Sequence, residues 1–348
     1  MIKKISIKQP DDWHVHFRED EMLRVVTKFS ARVNRRCIAM PNTKIPITNL
    51  SQAQNYKVLI EKYSNNTNFE ALIPCYITEN LDIHNFREGL KKNIFIGAKL
   101  YPANATTNSN FGVTNINNIF NILQILEEEK KVLLIHGEKI ETNIDIFDRE
   151  KYFIDDELYK IRKKFKDLKI VLEHVSSAYG VDFIKSHNNI AGTITPHHML
   201  LTKKDVFKDD LINPHHFCMP VVKNEIDLLS LRNAACKNNK KFFLGTDSAP
   251  HHIDNKFPKL STSPGIFSAA CSLELYANIF EEENSLDKLE TFASINGANF
   301  YNLPINDNII TLEKNEWLLP EFTEENSVKI KNFFGNKKIN WKLSNLKV

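Results

Sequence analysis

The sequence predicts an α/β fold, a (β/α)8 TIM barrel with a short C-terminal extension. Three observations predict it. Eight short apolar, β-branched runs recur along the 348 residues. Segments with helical spacing lie between them. The first run is followed by Phe17-Arg18-Glu19-Asp20, with no glycine-rich turn, which argues against a doubly wound nucleotide fold. Strands alternating with helices imply parallel strands joined by crossovers, and eight repeats favour a closed barrel over an open sheet.

The first strand is Trp13–Phe17. Alternate strand residues point the same way, so His14 and His16 leave one face while Trp13, Val15 and Phe17 pack on the other. The second strand is Arg36–Met40. A helix over Ser51–Tyr63 follows, with Tyr56, Leu59, Ile60 and Tyr63 on one stripe. Strands three and four are Glu70–Cys75 and Ile94–Leu100. A second helix over Asn115–Glu129 carries Ile116, Ile119, Phe120, Leu123 and Leu126. Strands five, six and seven are Val132–His136, Lys169–His174 and Ile190–Thr195. A helix over Glu225–Lys237 leads to strand eight, Phe242–Thr246, and a helix over Ser268–Phe280 comes after it. Such a barrel takes about 250 residues, so this chain has room for long loops. No Gly/Ser linker or low-complexity tract divides it. Residues 1–348 are expected to form one domain, with about 305–348, rich in lysine and asparagine, as a packed extension.

Composition narrows the function classes. A formal net charge of +3 on 348 residues gives no reason to invoke nucleic acid or a membrane surface. No apolar run approaches the roughly 18 residues of a membrane span. Met1 to Pro10 has lysines but no apolar core, so no secretory signal is read, and a cytoplasmic protein is expected. The five cysteines are odd in number and form no Cys-x-x-Cys pair, which fits reduced thiols. Cys218 lies in a candidate loop near the site and is read as a small apolar residue. His197 and His198 are read as loop structure at the rim.

In a barrel of this kind the chemistry sits at the C-terminal ends of the strands. Those ends present His14 and His16, Lys99, His136, His174 and, just beyond strand eight, Asp247. Two imidazoles leaving one strand face are half of a divalent metal site, and the other groups complete a ligand set for two ions. An ammonium beside two divalent cations would be repelled by several kcal/mol even at an effective dielectric of about 20. Lys99 is therefore expected to be neutral and able to add CO2. The resulting N6-carboxylysine is anionic and can bridge two metals about 3.5–4 Å apart. Two such metals polarise water near neutral pH and act as a Lewis acid. Asp247 can bind metal and also carry a proton to a leaving nitrogen. This is amide-hydrolysis chemistry. The His-rich set makes zinc the expected metal, with manganese or cobalt able to substitute.

These residues resemble the amidohydrolase superfamily and, within it, the dihydroorotases of the monofunctional bacterial type. The resemblance runs from Asp11 to about Leu303. Its most specific stretches are Asp11–Arg18, Met40-Pro41-Asn42-Thr43, Lys99–Thr107, His136-Gly-Glu, Glu173-His174 and Gly245–His251. It implies that His14, His16 and Asp247 hold the more buried metal, and that His136 and His174 hold the other with carboxylated Lys99 bridging. It implies Asp247 as catalytic acid/base. Arg18, Asn42 and His251 would bind the substrate carboxylate; Arg18 alternates with His16, and its planar fork suits that contact. His136 and Met219 would also meet the substrate, and Thr106 and Thr107 would belong to a lid that closes over it. Between His252 and Ile266 the chain departs from the family pattern, and Pro264 is the expected contact there. The activity implied is reversible cyclisation of N-carbamoyl-L-aspartate to L-dihydroorotate in pyrimidine synthesis, by a homodimer acting on a small-molecule substrate.

Overall fold

The computed structural model describes residues 2–66, 68–208, 211–257 and 262–344. Its strands are β1 (Lys4–Lys8), β2 (Asp11–Val15), β3 (Arg36–Ala39), β4 (Glu70–Tyr76), β5 (Phe95–Leu100), β6 (Val132–Ile135), β7 (Lys169–Leu172), β8 (Ile190–Ile194), β9 (Phe207–Lys208), β10 (Leu211–Ile212), β11 (Phe242–Leu244), β12 (Ile309–Leu318), β13 (Phe322–Glu325), β14 (Val328–Lys331) and β15 (Lys338–Leu343). Eight of them form one sheet in the order β11-β8-β7-β6-β5-β4-β3-β2, and every ladder in it is parallel. These are the eight runs read from the sequence. The seam between β11 and β2 closes at the rim. Asp247 N–H donates to the His14 carbonyl (2.9 Å) and His16 N–H to that of Ser248 (3.0 Å). The Asp12 carboxylate pins the same seam by accepting from the Thr246 N–H (2.9 Å) and hydroxyl (2.6 Å).

Helices wrap the barrel: α1 (Asp20–Ala31), α2 (Leu50–Tyr63), α3 (Ile83–Lys91), α4 (Phe120–Glu128), α5 (Arg149–Phe153), α6 (Tyr159–Lys164), α7 (Ala178–Ser186), α8 (Lys203–Val206), α9 (Glu225–Cys236), α10 (Ser272–Glu282) and α11 (Asn296–Phe300). On α2 the Asn49 side chain caps the Gln52 N–H while the Gln52 side chain returns the bond, a capping box that starts the helix where the apolar stripe starts. Leu59 is exposed, however, and Ala53 takes its place on the buried face with Tyr56 and Ile60. The fourth predicted helix begins at Ser272 rather than Ser268, because the N–H groups of Ser268 and Ala269 are committed to the Ser248 hydroxyl.

The core has two parts. A large outer cluster fills the space between strands and helices. A smaller one joins alternate strand residues Ile38, Leu134, Val171, Ala191 and Phe243 to Ala298 and Tyr301, so α11 plugs the barrel at the end away from the rim. Trp13 belongs to this inner cluster and stacks on Tyr301 at 4.6 Å. The expectation that Trp13 faces outward with Val15 and Phe17 is thus corrected. The β2–β3 register shifts between Asp12 and Val15, and an irregularity of this kind breaks strict alternation. Val15 and Phe17 do pack outward.

The C-terminal segment is itself a β structure. β12 pairs antiparallel with both β1 and β15, and β13 with β14. Trp341 and Ile339 are fully buried, and a single bridge joins Phe267 to Asn332. The β1 strand was not anticipated from the sequence.

Candidate metal centre and substrate cavity

The β-strand ends deliver the predicted ligands to one place. His14 Nε2, His16 Nε2 and Asp247 Oδ1 form a near-equilateral triangle with sides of 3.2–3.3 Å. Such separations suit donors that share one ion at bonds of about 2.0–2.2 Å, so this trio fits a divalent metal. Beside it, His136 Nδ1 lies 3.1 Å from His174 Nε2, and the His14 and His174 rings are 5.0 Å apart. Facing imidazole nitrogens this close are tolerable only with a proton or a cation between them. All four histidines are buried. Burial lowers the pKa of His14 to about 3 and of His16 to about 4. It also lowers that of His174, helped by His136. Neutral imidazoles are the form that binds metal. Burial alone would raise Asp247, but the His14 and His16 contacts outweigh it and hold the carboxyl below its usual range.

Lys99 points into the same cluster from β5 and is fully buried. Its amine contacts Glu173 Oε2 and lies 4.7 Å from the centre of the Tyr101 ring. Burial drives its pKa well below the lysine range, which gives the neutral nucleophilic amine that carbamylation requires.

Three of these site residues leave their strands with left-handed backbone: Arg18 (φ 60°), His174 (φ 40°) and Asp247 (φ 44°). Each such conformation costs on the order of 1–3 kcal/mol in a non-glycine residue.

The cavity above the cluster is lined by Arg18, Asn42, Tyr101, Thr106, Thr107, Met219 and Pro264 along with the ligands. Arg18 Nη2 lies 3.0 Å from His251 Nε2, which in turn lies 2.8 Å from the Pro264 carbonyl. Burial and the Arg18 charge keep His251 neutral. One ring nitrogen cannot donate to Pro264 and accept from Arg18 at once, so Arg18 Nη2 lacks a dedicated acceptor, while its Nε donates to the Pro250 carbonyl (3.1 Å). Pro264, predicted as a substrate contact, uses its carbonyl for His251 here. Of the divergent stretch, Lys259, Leu260 and Ser261 lie outside the described residues. The Asn42 amide N–H donates to the Thr107 carbonyl (2.9 Å), Asn108 returns a bond to the Asn42 carbonyl (3.0 Å), and Asn42 Oδ1 is buried without a partner. The Thr106–Ser109 loop is thus docked on the mouth. With it there the cavity is about 20 Å³, little more than a water occupies.

Two carboxylates escaped sequence reasoning. Glu138 Oε2 lies 2.7 Å from His136 Nε2. Glu173 Oε1 lies 3.0 Å from His14 Nδ1, close but not aligned as a hydrogen bond. Their signal was visible: each is within two residues of a ligand histidine, and metal-binding imidazoles commonly present their other nitrogen to a carboxylate. His197 and His198 lie in a buried turn. His198 is committed to Thr195 (2.8 Å) and the Pro220 carbonyl (3.0 Å). All five cysteines are unpaired and buried. Cys218 contacts the Pro220 carbonyl, and burial pushes its thiol up, the opposite of an activated thiolate.

Residues 11–307 match the amidohydrolase family. A dihydroorotase of Buchnera aphidicola subsp. Schizaphis graminum is 43% identical over 345 residues, 98% of each chain. The crystal structure of dihydroorotase from Saccharomyces cerevisiae in complex with 5-fluoroorotic acid superposes with a TM-score of 0.92 at 30% identity, covering 99% of both chains. That of the Campylobacter jejuni dihydroorotase gives 0.90 at 32%, with the same coverage.

Proposed function

The chain belongs to the amidohydrolase family and within it to the dihydroorotases, hydrolases of a cyclic amide C–N bond, and from that premise we propose how its rim performs the reaction. The substrate pair is N-carbamoyl-L-aspartate and L-dihydroorotate. His14, His16 and Asp247 would hold one divalent metal, and His136 and His174 a second, with carboxylated Lys99 between them. The triangle of ligand atoms and the buried, neutral imidazoles support this set. Zinc is the proposed ion, since nitrogen-rich sites of this kind favour it. When bound, the metals supply Lewis acidity to the reacting carbonyl and lower the pKa of water.

The rest of the chemistry belongs to the chain. In hydrolysis, water adds its oxygen to the ring carbonyl carbon, the C–N bond breaks, and one proton moves from that water to the nitrogen. Cyclisation reverses these events. Asp247 is proposed to carry the proton. Its Oδ1 faces His14 and His16, while its Oδ2 makes no hydrogen bond among the described residues. Arg18, Asn42 and His251 would grip the carboxylate that does not react. Thr106 and Thr107 would add hydroxyls and exclude water as the lid closes. Met219, Pro264 and His136 complete the wall around the ring. Lys99 would become a carbamate when its amine lone pair forms a bond to the carbon of CO2 and a proton is released. Growth of a carbamate signal with isotope-labelled bicarbonate, lost in Lys99→Ala, tests that step. The chain is further proposed to act in the cytoplasm as a homodimer, with residues 1–348 as one unit.

The single observation that carries the substrate assignment is the Arg18–His251 pair, 3.0 Å apart at the cavity mouth, where one ring nitrogen faces both the Arg18 donor and the Pro264 carbonyl acceptor. A carboxylate resolves that conflict by accepting from Arg18, which leaves the ring N–H for Pro264. Arg18→Met should therefore lower turnover of dihydroorotate by 100-fold or more, on the order of the 3–5 kcal/mol lost when a buried charged partner is removed. Metal content should stay at the parent value. Metal loss in step with activity would assign Arg18 to structure, and equal turnover of cyclic amides lacking the carboxylate would remove the clamp.

A further inference from the structure

We propose that Glu138 is the positioning residue of the second metal subsite, fixing which nitrogen of His136 faces the ion. The inference rests on the two-metal reading above and extends it to a residue with no assigned role. An imidazole can present either nitrogen, and only the unprotonated one binds metal. His136 turns Nδ1 toward His174 (3.1 Å) and Nε2 toward Glu138 Oε2 (2.7 Å). A carboxylate acceptor at Nε2 holds the proton there and leaves the Nδ1 lone pair for the ion.

The local chain is built for this contact. Glu138 N–H donates to the His136 carbonyl at 3.2 Å, a three-residue turn that folds the glutamate back on the histidine. Gly137 sits at the bend, where a Cβ would stand 2.5 Å from Leu172 Cδ1. Glu138 is fully buried, and no lysine or arginine pairs with it among the described residues. Glu173 differs, because it contacts both Lys99 and His14. The other Glu138 oxygen, Oε1, has no protein partner. The residue also lines a cavity of about 270 Å³ at the base of the lid loop, next to Pro102, Ala103 and Val113. Glu138 therefore stands behind His136, outside the lining of the cavity above the cluster.

The test is chelator titration of zinc-loaded parent, Glu138→Ala and Glu138→Gln, reading zinc per chain beside the thermal midpoint. The parent should hold two ions. Glu138→Ala should release one of them at 10- to 100-fold lower chelator concentration, as expected for loss of an outer partner, and keep the other at parental affinity. Glu138→Gln can still accept the Nε2–H bond and should fall between the two. Glu138→Ala holding both ions like the parent would overturn the proposal while leaving the two-metal reading intact. Loss of both ions in parallel with the thermal midpoint in both variants would also overturn it, by assigning Glu138 to packing. A parent that binds a single ion would overturn the two-metal reading and this inference together.

Discussion

Arg18, His174 and Asp247 all hold left-handed backbone just beyond their strands, and the strain has a use. A strand continuing in extended form would carry each side chain past the rim, whereas a reversal of φ turns it back over the barrel axis. Conformations of this kind persist only where the surroundings over-determine them, and here the seam hydrogen bonds of Asp247 and the bond from His174 N–H to Thr193 (2.7 Å) do so. Lys256 pays a different penalty. It is 5% exposed, donates to the carbonyls of Phe217 (3.3 Å) and Ser263 (2.8 Å), and burial brings its pKa down to about 7. Its folded pKa lies below the unfolded value of 10.5, so between the two the unfolded chain binds a proton that the folded chain does not. Its destabilising effect is full below about pH 7 and fades as pH rises toward 10.5. Lys256→Met should accordingly gain stability over the parent most at pH 6–7, with the gap in urea midpoint narrowing steadily to about pH 10. A gap that widens with pH would show that the amine is held as a charged donor.

At the scale of elements, the inner cluster couples α11 to the metal-bearing strand. A Cβ on Gly297 would meet Trp13 Nε1 at 2.0 Å and Cε2 at 2.4 Å. Trp13 cannot yield, because it stacks on Tyr301 and meets Phe243 edge-on. Gly297→Ala is expected to lower stability by about 1–3 kcal/mol through overpacking and to weaken metal retention, since the displaced indole precedes His14. An unchanged melting midpoint would show that α11 is free to shift. The eight barrel strands were legible because parallel strands buried on both faces read as unbroken apolar runs. The six candidate ligands were legible as candidates because each lies in or just beyond such a run. The inward turn of Trp13 was not, since a register shift leaves no mark in composition. Nor was the role of Glu138, because a search for ligands counts the atoms that touch metal and passes over those that aim them. The loop of Thr106 and Thr107 was read as a lid from the sequence, but its attachment to Asn42 rests on backbone carbonyls that carry no residue-type signal.

For the whole molecule, the two ends of the chain determine whether the barrel stays shut. β1 enters a sheet with β12 and β15. Arg36 joins Asp11 (2.6 and 2.9 Å) to the Pro304 carbonyl (2.8 Å), and Asn306 reaches Gln9 and Asp11. Strand β2, which carries His14, is therefore held at its base by Asn306, 295 positions after Asp11. The extension, read from the sequence as packed on the barrel and rich in lysine and asparagine, alternates: Ile310 and Leu312 on β12, and Ile339, Trp341 and Leu343 on β15, are buried, with lysines and glutamates facing out. Burial of each such side chain is worth about 1.5–3 kcal/mol, so these five together are comparable to the net stability of a typical domain, about 5–15 kcal/mol. A chain ending at Pro304 would lose them, uncover Ile7 and the face of α10, and remove the Asn306 amide from Gln9 and Asp11. That truncation is expected to abolish cooperative unfolding and metal retention together, measured by calorimetry and metal analysis on the same preparation. A truncated chain that melts cooperatively near the parent midpoint and still binds metal would show that the barrel closes without its C-terminal sheet.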